Sequence, residues 1–403
     1  MSGIPLANKS GALIVRYHEI ALKGGNRPMF EKRLERNLRA ALKSFDGVQV
    51  RRIRGRMLVQ ADGSPARLEE AAARVFGLAN LSTAWEVEPD LEAIAATGRE
   101  LVEHALTHQY AGLKEVPFRV TVNRAAKSFP HTSVECDRAI GDLVVPHFPR
   151  LRVNLKAPIL ELEVDIRDEG TWVFSGRHPG PGGLPVGVMG RVMCLLSGGI
   201  DSPVASWLAM KRGMRVDFVS FYSYPHVGPR TRDKIIRQVE NLSRWQPQAT
   251  LNIVPFAAIQ EAIRDNCPPS YRTVLYRRAM QRIATKLAFR SKCKALITGE
   301  SVGQVASQTL ENIRVIEEAS GLPVLRPLVT FDKQEAIDIA RRIGTFETSN
   351  LPAPDCCTVF QPEHPILYGK LEEALAAEAA LDINQLTIDA VRANERLHIP
   401  ELK

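Results

Sequence analysis

One short stretch, VMCLLSGGIDSP at residues 192–203, limits the fold of this chain more than any other. Its apolar start predicts a strand that is buried on both faces of a sheet. Pro203 is suited to the first turn of a helix, and Gly213 is suited to its end. Between strand and helix, a Ser-Gly-Gly turn lets backbone N–H groups converge, and the helix N-terminus adds a partial positive charge. The stretch therefore predicts a phosphate-binding loop at Ser197–Ser202.

This loop differs from a Walker A loop in its charged residue. A Walker A loop ends in Gly-Lys-Ser/Thr, so that a lysine reaches the β- and γ-phosphates. Here the loop has no lysine, and Asp201 would repel a phosphate unless a metal ion lay between them. We therefore interpret Asp201 as a partner of Mg²⁺-pyrophosphate. The loop resembles the SGGxDS loop of PP-loop pyrophosphatases, which cleave ATP between its α- and β-phosphates and form adenylates.

The residues after Arg191 alternate between strands and helices. Apolar runs predict further strands near 216–221, 249–254, 295–298 and 324–328, with amphipathic helices between them. This order is typical of a doubly wound parallel α/β sheet, which binds ligands beyond the carboxyl ends of its strands. Candidate contacts at those ends and on the long helix are Ser220, Phe221, Gly299, Gln308, Arg277 and Arg278.

The composition is that of a globular protein. Of the 403 residues, 45% are hydrophobic and 24% are charged, which are ordinary values. No apolar run is long enough to span a membrane, and the N-terminus lacks the pattern of a signal peptide. We therefore expect a cytoplasmic protein of two or three domains. Six cysteines without a CxxC pair argue against a disulfide framework and against a zinc site.

Positive charge is concentrated at the start of the chain. Residues 1–60 contain 13 Lys and Arg against 4 Asp and Glu, whereas the net charge of the whole chain is +8. A predicted helix and the strands after it carry this charge, with Arg51, Arg52, Arg54 and Arg56 close together. Such a concentration favours a polyanionic partner larger than a nucleotide, most simply a nucleic acid, over a merely solvated basic face.

Residues 68–176 predict a compact α/β unit, after which three prolines and four glycines in the segment 178–187 mark a domain boundary. The phrases FRVTVNRAAKSFPHTS and LELEVDIRDEGTWVF resemble a THUMP domain preceded by its ferredoxin-like partner. The resemblance implies a ferredoxin-like domain at 1–67, a THUMP domain at 68–176 and a PP-loop domain with a helical tail at 177–403. THUMP domains bind RNA in tRNA-modifying enzymes, and the candidate RNA contacts are Arg51, Arg52, Arg54, Arg56, Arg124 and Lys127.

Four further motifs resemble, nearly word for word, the family of tRNA 4-thiouridine synthases: LLSGGIDSPVASWLAMKRG, TGESVGQVASQTLENI, VLRPLVTFDKQEAIDIARRIGT and APDCCTVF. The resemblance implies that ATP adenylates the carbonyl oxygen of uridine 8 of tRNA, and that sulfur from a persulfide then replaces AMP. Lys333 aligns with a lysine suited to stabilising the adenylation transition state. The implied ATP contacts are Leu195, Leu196, Ser220, Phe221, Arg277, Gly299 and Gln308, and the implied pyrophosphate contacts are Ser197, Gly198, Gly199, Asp201 and Ser202.

The implied chemistry needs a cysteine that carries a persulfide. Cys356 aligns with the active-site cysteine of the family, and Cys357 beside it is the alternative carrier. Both follow a proline-containing loop, Leu351–Pro354, which would let them reach the nucleotide site. Cys194 lies in the predicted buried strand and is expected to be inert. No catalytic role is predicted for the remaining cysteines, Cys136, Cys267 and Cys293.

The tail is predicted to be helical at Tyr368–Glu378 and Ile388–Leu397, and it contains no cysteine. Longer members of the family end in a rhodanese domain whose cysteine carries the persulfide, so this chain resembles the short form. The resemblance then implies that a cysteine desulfurase delivers sulfur directly or through a separate carrier. Transfer to a sulfur-carrier protein for thiamine thiazole synthesis is left open, and so is a homodimer.

Two other interpretations compete with this one. Other PP-loop tRNA enzymes, such as 2-thiolases and lysidine-type ligases, usually lack a THUMP-like half, and a lysidine ligase needs no reactive cysteine. An RNA-binding protein with a vestigial nucleotide site would not need the intact loop at Ser197–Ser202. The sequence therefore favours an ATP-dependent tRNA sulfurtransferase.

Overall fold

The computed structural model describes residues 11–53, 55–354, 356 and 359–399. The chain divides into two compact units, Met1–Pro185 and Val186–Lys403. None of the helices in these described ranges is long and apolar enough to cross a membrane.

The first unit combines helices with a large sheet. Thr132 and Glu135 form a reciprocal capping box that fixes the start of its fourth helix. The elements in chain order are β1 (Gly11–Arg16), α1 (Arg27–Ala41), β2 (Gln49–Ile53), β3 (Arg56–Gln60), α2 (Pro65–Ala72), β4 (Asn80–Val87), α3 (Leu91–His108), β5 (Val116–Arg124), α4 (Ser133–Val144), β6 (Leu151–Val153), β7 (Leu160–Arg167), β8 (Gly170–Ser175) and β9 (His178–Pro179).

All of these strands belong to one sheet, in the order β2-β3-β1-β4-β8-β7-β5-β6, with β9 paired to β4. The strand β4 is antiparallel to β1 on one edge and to β8 on the other. A boundary at 67/68 therefore does not separate two sheets, because β4 joins the N-terminal strands to those of the predicted THUMP domain. The short strand β6 was not predicted, since three residues with one buried side chain give no usable periodicity.

The main core of the first unit lies where α3 and α4 pack on β5, β7 and β8. Trp85, Ile140 and Leu162 are among its buried side chains. A smaller cluster around Ile14 and Trp172 includes residues of β1, β3, β4 and β8. Because apolar burial drives folding in rough proportion to area, these two clusters hold the continuous sheet together.

The second unit is an α/β sheet with helices on both faces. Gly213 follows α5 with a φ of +81°, in the left-handed region that glycine favours at a helix end. The elements are β10 (Arg191–Leu195), α5 (Asp201–Lys211), β11 (Arg215–Tyr222), α6 (Pro229–Ser243), β12 (Ala249–Pro255), α7 (Ala257–Asn266), α8 (Arg272–Arg290), β13 (Leu296–Ile297), α9 (Leu310–Glu318), β14 (Val324–Leu325), α10 (Lys333–Ile343), α11 (Phe346–Ser349), α12 (Leu371–Glu378), α13 (Ile383–Arg392) and β15 (Glu395–Ile399).

The strand order is β14-β13-β10-β11-β12-β15, and every neighbouring pair except β12 with β15 is parallel. The chain runs from β10 to β12 in one direction and then returns to β13 on the other side of β10. Right-handed crossovers therefore place α5 and α6 on one face and α8 on the other. The predicted doubly wound parallel sheet is confirmed.

The tail differs from the prediction. Residues 388–397 were expected to form a helix, but α13 ends at Arg392 and β15 follows as a strand antiparallel to β12. Without this pairing, β12 would be an edge strand with unpaired backbone groups. The periodicity of the tail cannot reveal an edge that only the folded sheet creates.

Candidate active site

A pocket of about 150 Å³ lies at the carboxyl ends of β10, β11 and β13. The strand order reverses here, which is where open α/β sheets bind ligands. All predicted nucleotide contacts except Gly199 and Arg278 line the pocket, and Gly199 lies in the same loop as the pocket-lining serines. Side chains that the sequence analysis did not select also line it: Thr231, Ile235, Met280, Gln281, Glu300 and Ile316.

The loop between β10 and α5 is held by its two serines. The backbone N–H of Ser197 donates to Oγ of Ser202 over 3.1 Å, and the N–H of Gly199 donates to Oγ of Ser197 over 3.3 Å. Ser202 is 4% exposed, whereas Ser197 and Gly199 are half-buried. The serines therefore fix a compact turn at the start of α5, where backbone N–H groups and the helix dipole favour an anion.

Gly299 allows a second strand end to approach this loop. A Cβ atom at Gly299 would lie 2.6 Å from the backbone N of Ser202 and 2.7 Å from the carbonyl carbon of Asp201. Both neighbours are backbone atoms, which cannot move aside as a flexible side chain can. Glycine is therefore required at this position by close backbone approach.

Asp201 and Lys333 form an ion pair at the start of α5. The Nζ atom of Lys333 lies 2.8 and 2.9 Å from the two carboxylate oxygens of Asp201, and Nε2 of Gln304 donates to Oδ2 over 3.0 Å. Lys333 is placed by a capping box of Asp332 and Glu335 that fixes the start of α10. The structure thus brings together two residues that the sequence analysis selected independently.

Arg277 reaches the pocket from α8 and is oriented by a buried carboxylate. Its Nη1 atom donates to Oε1 of Glu300 over 2.8 Å. The other oxygen of Glu300 accepts from Arg326 and from Thr298, over 2.9 and 2.8 Å. Nε of Arg277 is buried without a hydrogen-bond partner among the described residues. Glu300 is therefore a positioning residue that sequence reasoning missed, because its partners come from separate segments.

Arg278 does not belong to the pocket, although it was a candidate phosphate contact. It is fully buried and forms ion pairs with Glu378 of α12 and Glu318 of α9, and it also donates to the carbonyl oxygen of Val315. Successive residues of a helix point in directions about 100° apart, so one arginine faces the pocket while its neighbour faces the helical layer. Arg278 is a structural residue.

The remaining wall of the pocket suits a nucleotide base. Phe221 packs against Phe256 with ring centroids 5.1 Å apart, and Met280 and Ile316 add apolar surface. Within this wall, Oε1 of Gln281 is buried without a hydrogen-bond partner in the described part of the chain. Apolar walls with a few polar atoms are typical of cofactor pockets.

Cys356 lines the same pocket. It is 6% exposed, and its carbonyl oxygen accepts from Nε2 of Gln260 over 2.8 Å. Upstream, the carbonyl oxygen of Pro354 accepts from Oγ1 of Thr231 over 3.1 Å. Cys357, the alternative carrier, lies outside the described residues.

The other described cysteines do not line the pocket. Cys194 is fully buried, and burial raises its pKa to about 12. Burial likewise raises the pKa of Cys293 to about 12 and raises the pKa values of Cys136 and Cys267. Because the thiolate is the nucleophile, such cysteines are unreactive at neutral pH.

The predicted RNA contacts of the first unit occupy different environments. Arg51 and Arg52 are exposed, and Arg52 lies 3.1 Å from Glu35. Lys127 is exposed, whereas Nη1 of Arg124 donates to carbonyl oxygens of its own loop over 3.2–3.3 Å. Arg54 lies outside the described residues. The exposed members remain candidates for phosphate contact.

Arg56 is not part of an exposed basic face. Its side chain is 15% exposed and is ion-paired with Asp165, which is 1% exposed. Burial lowers the pKa of Arg56, and Asp165 opposes this shift. Arg56 and Asp165 join strands β3 and β7 of the same sheet. The prediction for Arg56 treated neighbouring arginines as one surface, but strand β3 directs this side chain into the unit.

Strand β10, the loop Ser197–Ser202, helix α5 and the pocket together define a nucleotide-binding α/β domain of the PP-loop class. Comparison with known families agrees with this assignment. The family described as thiamine biosynthesis protein (ThiI) matches residues 187–383, the ThiI ferredoxin-like domain matches 12–82, and the THUMP domain matches 88–175.

Curated relatives match along nearly the whole chain. A probable tRNA sulfurtransferase of Brevibacillus brevis is 43% identical over 386 residues, covering 95% of each chain. One of Coxiella burnetii is 41% identical over 393 residues, covering 96% of this chain and 98% of its own. Among solved structures, a 4-thiouridine synthetase in complex with RNA and ATP is 35% identical, with a TM-score of 0.90, covering 97% of this chain and all of its own. The chain belongs to the ThiI family.

Proposed function

We propose that the protein converts uridine 8 of tRNA to 4-thiouridine, using ATP and the sulfur of a cysteine persulfide. As a member of the ThiI family, it is a sulfur-transferring, tRNA-modifying enzyme. One observation supports the proposal that sulfur is transferred from a persulfide: Cys356 and residues of the loop Ser197–Ser202 line the same pocket. A nucleotide activated at the loop would therefore lie within reach of a sulfur carrier.

The pocket fits ATP as the substrate that activates the uridine. Backbone N–H groups of the loop and Arg277 would bind phosphates, and the wall around Phe221 would receive the base. Asp201 also fits a Mg²⁺ ion shared with the phosphates, since Mg²⁺ is commonly held by one or two carboxylates plus substrate oxygens. The described residues contain no group of three or more side chains that would hold a metal without such help. Bound Mg²⁺ would neutralise phosphate charge.

The first step of the proposed reaction joins AMP to the uridine. The O4 atom of the uridine attacks the α-phosphorus of ATP, and pyrophosphate leaves. Negative charge develops on the phosphate oxygens during this step, and fixed positive groups stabilise it. Arg277, which lines the pocket, and Lys333, which pairs with Asp201 of the loop, are two cations placed to stabilise this charge.

The second step replaces AMP with sulfur. The terminal sulfur of a persulfide on Cys356 attacks C4 of the uridine, and AMP leaves with the former O4 atom. The sulfur is then bonded both to C4 and to Cys356. A second thiol, from Cys357 or from the sulfur donor, attacks the sulfur of Cys356. A disulfide forms, and the base keeps the transferred sulfur.

The first unit would bind tRNA through its exposed basic residues. Arg51, Arg52 and Lys127 are accessible for phosphate contacts, which supply most of the non-specific affinity of such complexes. A cysteine desulfurase as donor, a sulfur-carrier protein as second acceptor, a homodimer and a cytoplasmic location stay predictions of the sequence analysis.

The test is mass spectrometry of nucleosides from unmodified tRNA. The tRNA is incubated with the protein, Mg-ATP, cysteine and a cysteine desulfurase, and a matched reaction omits ATP. We expect 4-thiouridine only when ATP is present, and a tRNA with cytidine in place of uridine 8 should give none. Thiolation without ATP, or at another position, would contradict the proposal.

A further inference from the structure

Helix α6 presents three buried polar side chains along one face. Thr231, Lys234 and Gln238 are 6%, 7% and 0% exposed, and their spacing of three and four residues places them on the same side of the helix. Buried lysines are rare, because an ammonium loses hydration that protein contacts must replace. The contacts of Lys234 and Gln238 must therefore account for their burial.

On one side, this face contacts the phosphate-binding loop. Nε2 of Gln238 lies 3.2 Å from the carbonyl oxygen of Gly198 and 3.1 Å from that of Gly199. Nζ of Lys234 lies 3.6 Å from the position that a Cβ atom on Gly198 would occupy. The loop itself contains no lysine, and Lys234 of α6 places an ammonium beside it at Gly198.

On the other side, the same face holds the segment that leads to Cys356. Nζ of Lys234 donates to the carbonyl oxygen of Leu351 over 2.9 Å, and Oγ1 of Thr231 donates to that of Pro354 over 3.1 Å. Two residues after Pro354, Cys356 lines the pocket. The ammonium of Lys234 is thus adjacent both to the loop and to the cysteine segment.

We propose that Lys234 is a phosphate-binding residue of the nucleotide site that also positions the segment carrying Cys356. The proposal deepens the function given above and rests on it for the identity of the nucleotide. An ammonium has three donors, so one can remain on Leu351 while another contacts a phosphate oxygen. Lys234 would thus contact both the phosphates bound in the loop and the segment that leads to Cys356.

The test compares full-length wild type with Lys234→Met, using Arg237→Met as a control. Arg237 is an exposed residue of α6, so its replacement removes the same charge without touching the loop. Affinities for ATP and for adenosine are measured by calorimetry. Alkylation of Cys356 by iodoacetamide is followed by peptide mass spectrometry without nucleotide.

We expect Lys234→Met to weaken ATP binding about tenfold or more, in line with a lost charged hydrogen bond, and to leave adenosine binding within about twofold. Alkylation of Cys356 should become about threefold faster or more, because the segment opens more often. Lys234→Arg should recover most of the ATP affinity, and the control variant should match wild type in both measurements.

Two results would overturn the proposal. An equal loss of ATP and adenosine affinity would mean that Lys234 only shapes the pocket, and an unchanged alkylation rate would mean that it does not hold the cysteine segment. If Lys234→Met does not fold, Lys234→Gln carries the same two measurements. Neither uses tRNA or a sulfur donor, so they are independent of the thiolation assay. A wild-type protein that bound no ATP would instead defeat the proposed function.

Discussion

Two pairs of neighbouring arginines, one in each unit, look alike in the sequence and differ in the structure. Arg277 and Arg278 follow each other on α8, where Arg277 faces the pocket and Arg278 is 0% exposed between acidic residues of α9 and α12. Arg51 and Arg52 follow each other on β2, and both are exposed. The side chain of Arg52 is 47% exposed beside Glu35.

The two pairs differ in whether their charges are held in buried ion pairs or remain exposed to solvent. An ion pair out of water must have partners of fixed geometry, because an uncompensated buried charge costs several kcal/mol. An exposed pair contributes only about 0–1 kcal/mol and exchanges readily for other ions. The arginines of α8 therefore build the site and its support, whereas those of β2 stay available for an external polyanion.

The largest effect is expected at the loop, where charge takes part in chemistry. Asp201→Ala should reduce AMP formation by about 10³-fold or more, since it removes the carboxylate that pairs with Lys333 and fits Mg²⁺. Affinity for tRNA, measured by filter binding, should stay within about twofold, because the proposed RNA contacts lie in the first unit. If AMP formation and tRNA affinity fell equally, Asp201 would only maintain the fold.

The next effect concerns stability and its pH dependence. Burial works to raise the pKa of Glu378, but hydrogen bonds from Arg282 and Arg278 outweigh it and lower the pKa from 4.5. Glu378→Gln should reduce the free energy of unfolding at neutral pH by about 3–5 kcal/mol, as expected for a broken buried pair. Exposed Glu372 on the same helix gives the control, Glu372→Gln, which should change it by less than about 0.5 kcal/mol.

The sign of the pH effect follows from the lowered pKa. The stabilising contribution of Glu378 is fully present above its unfolded pKa of 4.5 and is lost as the pH falls through the folded pKa. Urea unfolding should therefore show the difference between wild type and Glu378→Gln shrinking under acidic conditions. A difference that stayed constant would mean that Glu378 contributes by packing alone.

A smaller effect, opposite for the two residues, separates Arg277 from Arg278 on α8. Arg277→Lys should weaken ATP binding by roughly tenfold with little change in unfolding free energy, because lysine cannot reproduce the guanidinium geometry in the pocket. Arg278→Lys should lower the unfolding free energy by about 2–3 kcal/mol and leave ATP affinity nearly unchanged. Calorimetry and urea unfolding of both variants check this, and similar behaviour of the two would remove the distinction.

The smallest effect is expected on the exposed face. Arg51→Glu should weaken tRNA binding several-fold and reduce the slope of log affinity against log salt by about 1. Lys114→Glu makes the same change in charge at another exposed residue of the first unit. If both variants weaken binding equally, the effect is one of net charge, and β2 has no special part in contacting tRNA.

Much of the nucleotide site was predictable because its residues lie at strand ends. The strand β10, the loop after it and the helix α5 are one continuous segment, so their geometry follows from local rules. Gly299 and Gln308 were found through strand ends and family motifs. Glu300 and Lys234 were missed, since each acts through contacts with segments far away in the sequence.

The roles of two arginines could not be predicted from the sequence. Arg56 and Arg278 were both expected to contact phosphates, but Arg56 is largely shielded in an ion pair with Asp165, and Arg278 is fully buried in one with Glu378. A strand or helix pattern indicates which residues alternate, but it does not show which acidic residue of another element lies opposite. For the same reason β15 was taken for a helix, because its partner β12 is not its neighbour in the chain.

The sequence by itself determined the doubly wound sheet, the phosphate-binding loop and the family to which the chain belongs, because hydrophobic periodicity and local turns encode them. Only the tertiary structure decided that Cys356 lines the nucleotide pocket, that β4 merges the N-terminal strands into one sheet, and which arginines keep their charge in solvent. These depend on burial and on contacts between distant segments, and burial fixes whether a charge supports the fold or stays free to bind a partner.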